Sequence, residues 1–165
     1  MRRVRFAPLA FVAAAAWAAA LEPLDARNGF LDLQFGAPSG QFHDLLSWGQ
    51  QEDLAVFVEG MNPEVAGVRF ETRLLRFWQD RLVQVELVTT DLAAARRYFK
   101  LMAEAYGRPT SKLGQNSYEW VGSLVNARYG EDGKTASVRY ESVALLKERQ
   151  RRGKKRPGSR SSAPS

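Results

Sequence analysis

An α+β domain, an antiparallel sheet with helices packed on one face, is the fold this sequence predicts, and three observations predict it. Several short segments alternate apolar and polar residues with the period of two that a one-face-buried strand requires, most clearly Val68 to Trp78 and Leu82 to Val88. The connection between those two is far too short for a parallel crossover, which needs a dozen or more residues. One long segment, Leu92 to Tyr106, repeats its apolar residues at helical spacing instead.

The residues ahead of the domain, MRRVRFAPLAFVAAAAWAAA, read as an export signal at 1–20. Arg2, Arg3 and Arg5 form a positive start, Ala7 to Trp17 is almost wholly apolar, and Ala18 to Ala20 supply the small residues of a cleavage site. The apolar run is shorter than the roughly 20 residues that span a bilayer. Cleavage leaves Leu21 as the first residue, and residues 21–28 read as a flexible lead-in.

The elements then follow in order. Gly29 to Gly36 reads as a strand with Leu33 and Phe35 inward. Ala37 to Gly40 is a turn, with Ser39 as the N-cap of a short helix carrying Phe42, Leu45 and Leu46, which ends at Trp48-Gly49. Leu54 to Glu59 is a compact apolar strand, and Gly60 to Glu64 has the Gly, Asn and Pro of a loop. Val68 to Trp78 places Val68, Phe70, Thr72 and Leu74 on one side. A turn at Gln79-Asp80-Arg81 sends Leu82 to Val88 back with Val83, Val85 and Leu87 inward.

Asp91 caps the helix Leu92 to Tyr106, whose Leu92, Ala95, Phe99, Met102 and Tyr106 share a face, and Gly107 with Pro109 stops it. A Ser, Lys, Gly and Asn loop leads to strands at Tyr118 to Val121, Leu124 to Tyr129 and Ala136 to Tyr140, the last two joined by a Gly130 to Gly133 turn. Val143 to about Arg152 closes the domain as a helix. Each half therefore reads as a helix followed by three strands, two tandem α-β-β-β units within a single domain at 29–146.

The formal charge of +6 is unevenly placed. From Leu21 to Leu146 there are 13 Lys and Arg against 17 Asp and Glu, a net of −4, whereas eight basic residues lie between Lys147 and Arg160. Residues 147–165 read as a basic, largely disordered tail, because so polar a segment buries too little apolar surface to offset its ordering entropy. For an exported protein such a tail suits anionic envelope surfaces, with nucleic acid a less favoured partner.

Chemistry-bearing motifs are sparse. With no cysteine and one histidine, His43, the chain excludes thiolate catalysis, disulfides and multi-histidine metal sites. No Gly-x-Ser-x-Gly, Walker or calcium-loop motif occurs. The expectation is no catalytic, cofactor-binding or metal-binding residue. Glu59, Glu71, Glu86, Asp91, Glu119 and Glu141 form the pool for an alternative, an envelope-polymer hydrolase using paired carboxylates, but Glu71 and Glu86 lie among Arg69, Arg73 and Arg76 and read as ion-pair partners. A binding patch is expected at the hairpin tip, where Arg76, Phe77, Trp78 and Arg81 combine the side chains enriched in binding hot spots.

The opening strand ending in Gly, the hairpin FETRLLRFWQDRLVQVEL, the helix stop Tyr106-Gly107-Arg108-Pro109 and the Tyr118-Glu119-Trp120 strand together resemble small exported bacterial proteins of uncharacterised families. The resemblance spans roughly residues 29–142 and implies an envelope setting and a packing role for these motifs. The function expected is therefore a non-enzymatic periplasmic binding or accessory domain, partnered by an envelope protein or surface.

Overall fold

The computed structural model describes residues 21–154. The export-signal reading of 1–20, and the disorder expected of the last dozen residues apart from Lys154, lie outside them. The described chain opens with a small hairpin, β1 (Gly29–Phe30) and β2 (Leu33–Gln34), then one 3-10 turn at Ser39–Gln41. β3 (Leu45–Gln51) and β4 (Leu54–Met61) are followed by a second small hairpin, β5 (Glu64–Val65) and β6 (Val68–Arg69). Next come β7 (Thr72–Trp78), β8 (Arg81–Thr89) and α1 (Leu92–Tyr106). The chain ends with β9 (Ser111–Gly114), β10 (Ser117–Val121), β11 (Val125–Glu131), β12 (Ala136–Ser142) and α2 (Val143–Lys154).

Eight of these strands form one antiparallel sheet in the order β3-β4-β7-β8-β12-β11-β10-β9. It is two four-stranded meanders placed side by side, joined where Val85 of β8 pairs with Tyr140 of β12. Each meander is followed in sequence by a helix. The α+β class and the antiparallel sheet thus follow the sequence reading, while the order within each half is strands then helix. No helix starts at Ser39: the segment makes one 3-10 turn and then extends into β3. Its apolar residues Leu45, Leu46 and Trp48 fit either period over so short a run, and pairing with β4 decides in favour of the strand.

α1 forms where the sequence places it. The Asp91 carboxylate accepts from the Ala94 backbone N–H at 2.9 Å, satisfying a donor that the first turn leaves free. Gly107 ends it at φ 78°, a left-handed conformation that glycine adopts without steric penalty. Ala94, Ala95, Tyr98 and Met102 are buried against one face of the sheet, in a core with Phe70, Leu75, Phe77, Leu82, Val85, Leu87, Trp120, Ala127, Val138 and Tyr140. The Trp120 indole N–H donates to the Gly107 carbonyl at 2.9 Å, so the helix stop is tied directly to β10.

The two helices do not share a face. α2 crosses the end of the sheet at the β3–β4 and β7–β8 turns, and its Leu145 packs both on a small cluster of Leu54, Trp78 and Val83 and against the edge of the main core. Phe77 belongs to the α1-side core, so its neighbour Trp78 lies on the opposite side of the sheet. The expectation of helices on one face fails because α2 leaves β12 at that turn end and the bulky Trp78 offers it an apolar seat there.

Two irregularities shift the parity of the long hairpin. The chain bends at Phe70-Glu71, so β6 pairs with β5 and the alternation restarts at Thr72. Phe70 and Leu75 then face α1, while Leu74 pairs with Glu86 on the far side. Between Arg76 and Phe77 the register slips and Val83 is left without a partner, a bulge that turns Val83 toward the α2 side. The turn itself is Gln79-Asp80, with φ of 49° and 57°, the doubly positive geometry of a two-residue hairpin turn.

Three further segments differ from the sequence reading. Gly29 to Gly36 is a hairpin rather than one strand, with Leu31 at φ 53° between its arms. The loop expected before Tyr118 contains the edge strand β9. The lead-in 21–28 is anchored: Asp25 accepts from Ser123 N and Oγ, Leu124 N and Val125 N at 2.7, 2.9, 2.8 and 3.1 Å.

Candidate functional site

The fold divides the hairpin-tip residues between the two faces of the sheet: Phe77 enters the α1-side core, while Trp78 and Arg81 lie beneath α2. Phe77 is 2% and Trp78 4% exposed. The guanidinium carbons of Arg81 and Arg152 lie 5.0 and 5.5 Å from the Trp78 ring centroid, close enough for cation–π attraction. Arg81 also donates to Glu148 of α2 at 3.0 Å, and Arg152 bonds Gln79 at 3.1 Å. The expected patch is a packed joint because the first basic residues of the C-terminal segment belong to α2, which ends at Lys154, close to where the sequence reading stops its closing helix.

Arg76 belongs to a polar network on the sheet face opposite α1. It pairs with Glu86 at 2.6 Å across the β7–β8 ladder, and Arg139 of β12 pairs with the other Glu86 oxygen at 3.1 Å. Burial pushes the Glu86 carboxyl up, yet Arg139 and Arg76 together hold it below the ordinary range. With its amide oxygen turned to Arg76 and Arg139, Gln84 donates to Glu141 at 3.0 Å. These side chains floor a cleft of about 180 Å³, walled by Gln51, Glu52, Leu146 and Arg149. Its charges are mutually satisfied, which makes it a structural network first.

The carboxylates that formed the hydrolase pool are each engaged elsewhere. Glu119 accepts from Arg128 at 2.7 Å and Glu59 pairs with Arg73 at 2.7 Å. Burial raises the Glu59 carboxyl above its usual range, Asp32 adds to that and Arg73 opposes it. Glu71 does not meet the neighbouring arginines; it accepts from the backbone N–H and hydroxyl of Thr90, which hold its carboxyl low. Asp91 is the α1 cap. His43 is exposed and lies on a bend before β3, not in a helix. Among the described residues no group of three His, Asp or Glu side chains is placed to hold a metal ion.

The surface feature that sequence reasoning missed is β3. It is an edge strand bonded only to β4, its seven residues LLSWGQQ carry no charge, and Leu46 and Trp48 are 68% and 73% exposed. A bulge between Ser47 and Gly49 carries Trp48 out over Val56, Leu74 and Arg76, with which it lines a shallow depression. Edge strands in monomeric proteins are commonly guarded by lysine or proline. The signal is legible in the sequence as an uncharged run between Asp44 and Glu52, whose first residues fit a helix face equally well. No helix among the described residues is long and apolar enough to cross a membrane. No protein-family model, curated protein or solved structure matches the chain.

Proposed function

We propose that this is a non-enzymatic accessory domain of the cell envelope, exported by its N-terminal signal, that binds an extended segment of another envelope protein as an added strand at β3. The observation that carries the reading is the uncharged edge strand with Leu46 and Trp48 exposed. Strand addition draws affinity from backbone hydrogen bonds and specificity from alternate side chains, and β3 offers both an unpaired edge and two large apolar contacts. The engaged state of the candidate carboxylates supports a binding role over the hydrolase alternative. Within α2, Arg149 pairs with Glu52 and Asp53 and Arg152 with Glu148, which argues against the nucleic-acid alternative for that stretch of basic residues.

The test is photo-crosslinking from positions 46, 48 and 50 in turn, in the producing cell. Strand addition predicts adducts on one stretch of one envelope protein, displaced by two residues for each step along β3. Adducts scattered over many proteins, or between two copies of this chain, would overturn the reading. Intact mass of the periplasmic fraction tests export: a species lacking residues 1–20 is expected, and a full-length cytosolic species would refute it.

A further inference from the structure

A chain of three tyrosine hydroxyls runs from the core to a cavity. Tyr98 and Tyr140 approach at 2.9 Å, and Tyr140 and Tyr106 at 3.2 Å. Tyr98 is 0% and Tyr140 1% exposed. Three hydroxyls carry three hydrogens, and two contacts use two of them. One hydrogen is left over. Tyr98 has no other acceptor within hydrogen-bond distance among the described residues, and stranding a donor in the core is costly because nothing replaces the water it gave up. The spare hydrogen therefore belongs to Tyr106 or Tyr140, and both line one cavity of about 160 Å³ between α1, β12 and the N-terminal segment.

The rest of that cavity has a definite chemistry. Leu21, Pro23, Leu24, Phe30 and Leu31 give it an apolar wall, and Arg27 and Glu22 both belong to its lining. The Arg27 guanidinium bonds the Leu31 carbonyl and the Glu22 carboxylate, both contacts exposed to solvent. The volume matches the roughly 150 Å³ in which an apolar protein cavity accommodates a benzene ring.

We propose that this cavity is a binding site for a small carboxylic acid with a compact aromatic or short branched apolar body. The body occupies the leucine and phenylalanine wall, the carboxylate accepts the spare tyrosine hydrogen, and Arg27 provides the balancing charge. A carboxylate is chosen over a neutral carbonyl because donor and cation border the same space, and charge-assisted hydrogen bonds are the stronger class. Glu22 competes with the ligand for Arg27 and so sets the affinity.

The probes are benzoate and its uncharged counterpart benzyl alcohol, titrated into the full chain and followed by the chemical shifts of the Tyr106 and Phe30 rings. Benzoate is expected to saturate those shifts and to bind more tightly than benzyl alcohol. Tyr106→Phe should weaken benzoate about tenfold, as loss of a hydrogen bond to a charged group implies. Glu22→Gln should strengthen benzoate and leave benzyl alcohol unchanged. Leu24→Trp, which fills the apolar wall, should abolish both. Equal affinity for the two probes, or insensitivity of benzoate to both Tyr106→Phe and Glu22→Gln, would overturn the carboxylate assignment. No saturable shift with either probe up to their solubility would overturn the site.

Discussion

Arg152, in the last turns of α2, lies 5.5 Å above the indole of Trp78 at the tip of the β7–β8 hairpin. Arg81 covers the same ring from within the hairpin at 5.0 Å, so Trp78 is enclosed between a strand it belongs to and a helix about 70 residues later in the chain. The contact joins the basic C-terminal segment to the sheet.

Trp78→Ala should therefore destabilise the whole domain by about 3–5 kcal/mol, the usual cost of deleting a buried aromatic side chain. Urea unfolding followed by far-UV circular dichroism measures it. A loss under about 1 kcal/mol would mean that α2 is not seated on this ring.

The Arg76–Glu86–Arg139 network predicts asymmetric effects. Glu86→Gln leaves Arg76 without its carboxylate in a largely buried setting, while the more exposed Arg139 keeps Glu141 at 4.0 Å, and should cost about 3 kcal/mol. Because the native Glu86 carboxyl is held below its ordinary value of 4.5, its contribution is full above that value and is lost as pH falls through the lowered native one. Acid unfolding curves of the parent and variant should converge at low pH; curves that stay parallel would contradict the assignment.

Asp25 predicts a local effect at the other end of the sheet. Burial raises its carboxyl, but hydrogen bonds from Ser123, Leu124 and Val125 outweigh that and hold it low. The anchor is thus in force above the ordinary value of 3.8 and released as pH falls through the lowered native value. In Asp25→Ala, amide exchange should quicken at Leu124 and Val125 while the centre of β8 keeps its protection. Unchanged exchange at those two amides would show that the contact contributes nothing.

Alkaline pH probes the tyrosine chain. Burial raises Tyr98, Tyr106 and Tyr140 above the ordinary phenol value of 10.0, so the folded state keeps protons that the unfolded state has lost. Stability is full below pH 10 and falls as pH rises through and beyond it. Tyrosinate absorbance from these three should appear together with unfolding. Their ionisation in a still-folded protein would show that the hydroxyls are accessible to solvent.

Local signals in this chain were legible wherever a short-range pattern acts alone. The Asp91 cap, the 15 residues of α1, the Gly107 stop and strands β10 to β12 sit where the residue pattern places them, since capping, helical spacing and strand alternation are properties of neighbouring residues. β3 is not legible locally because Leu45, Leu46 and Trp48 satisfy helix and strand spacing alike, and only pairing with β4 separates them. The hairpin tip was misplaced for a related reason. Arg76, Phe77, Trp78 and Arg81 have hot-spot chemistry in any context, and whether they meet a partner or the chain's own helix depends on residues far away in sequence.

The amino-acid sequence by itself determined the α+β class, the antiparallel pairing of the long hairpin and the position of α1, through periodicity, loop length and caps. Tertiary structure alone decided the strand order that sets β8 against β12, the placement of α2 across Trp78, the exposure of Trp48 at a free edge and the alignment of Tyr98, Tyr140 and Tyr106. Each of these rests on contacts between segments tens of residues apart. Such contacts form only when burying apolar surface outweighs the entropy of closing the intervening chain, and no local pattern records that balance.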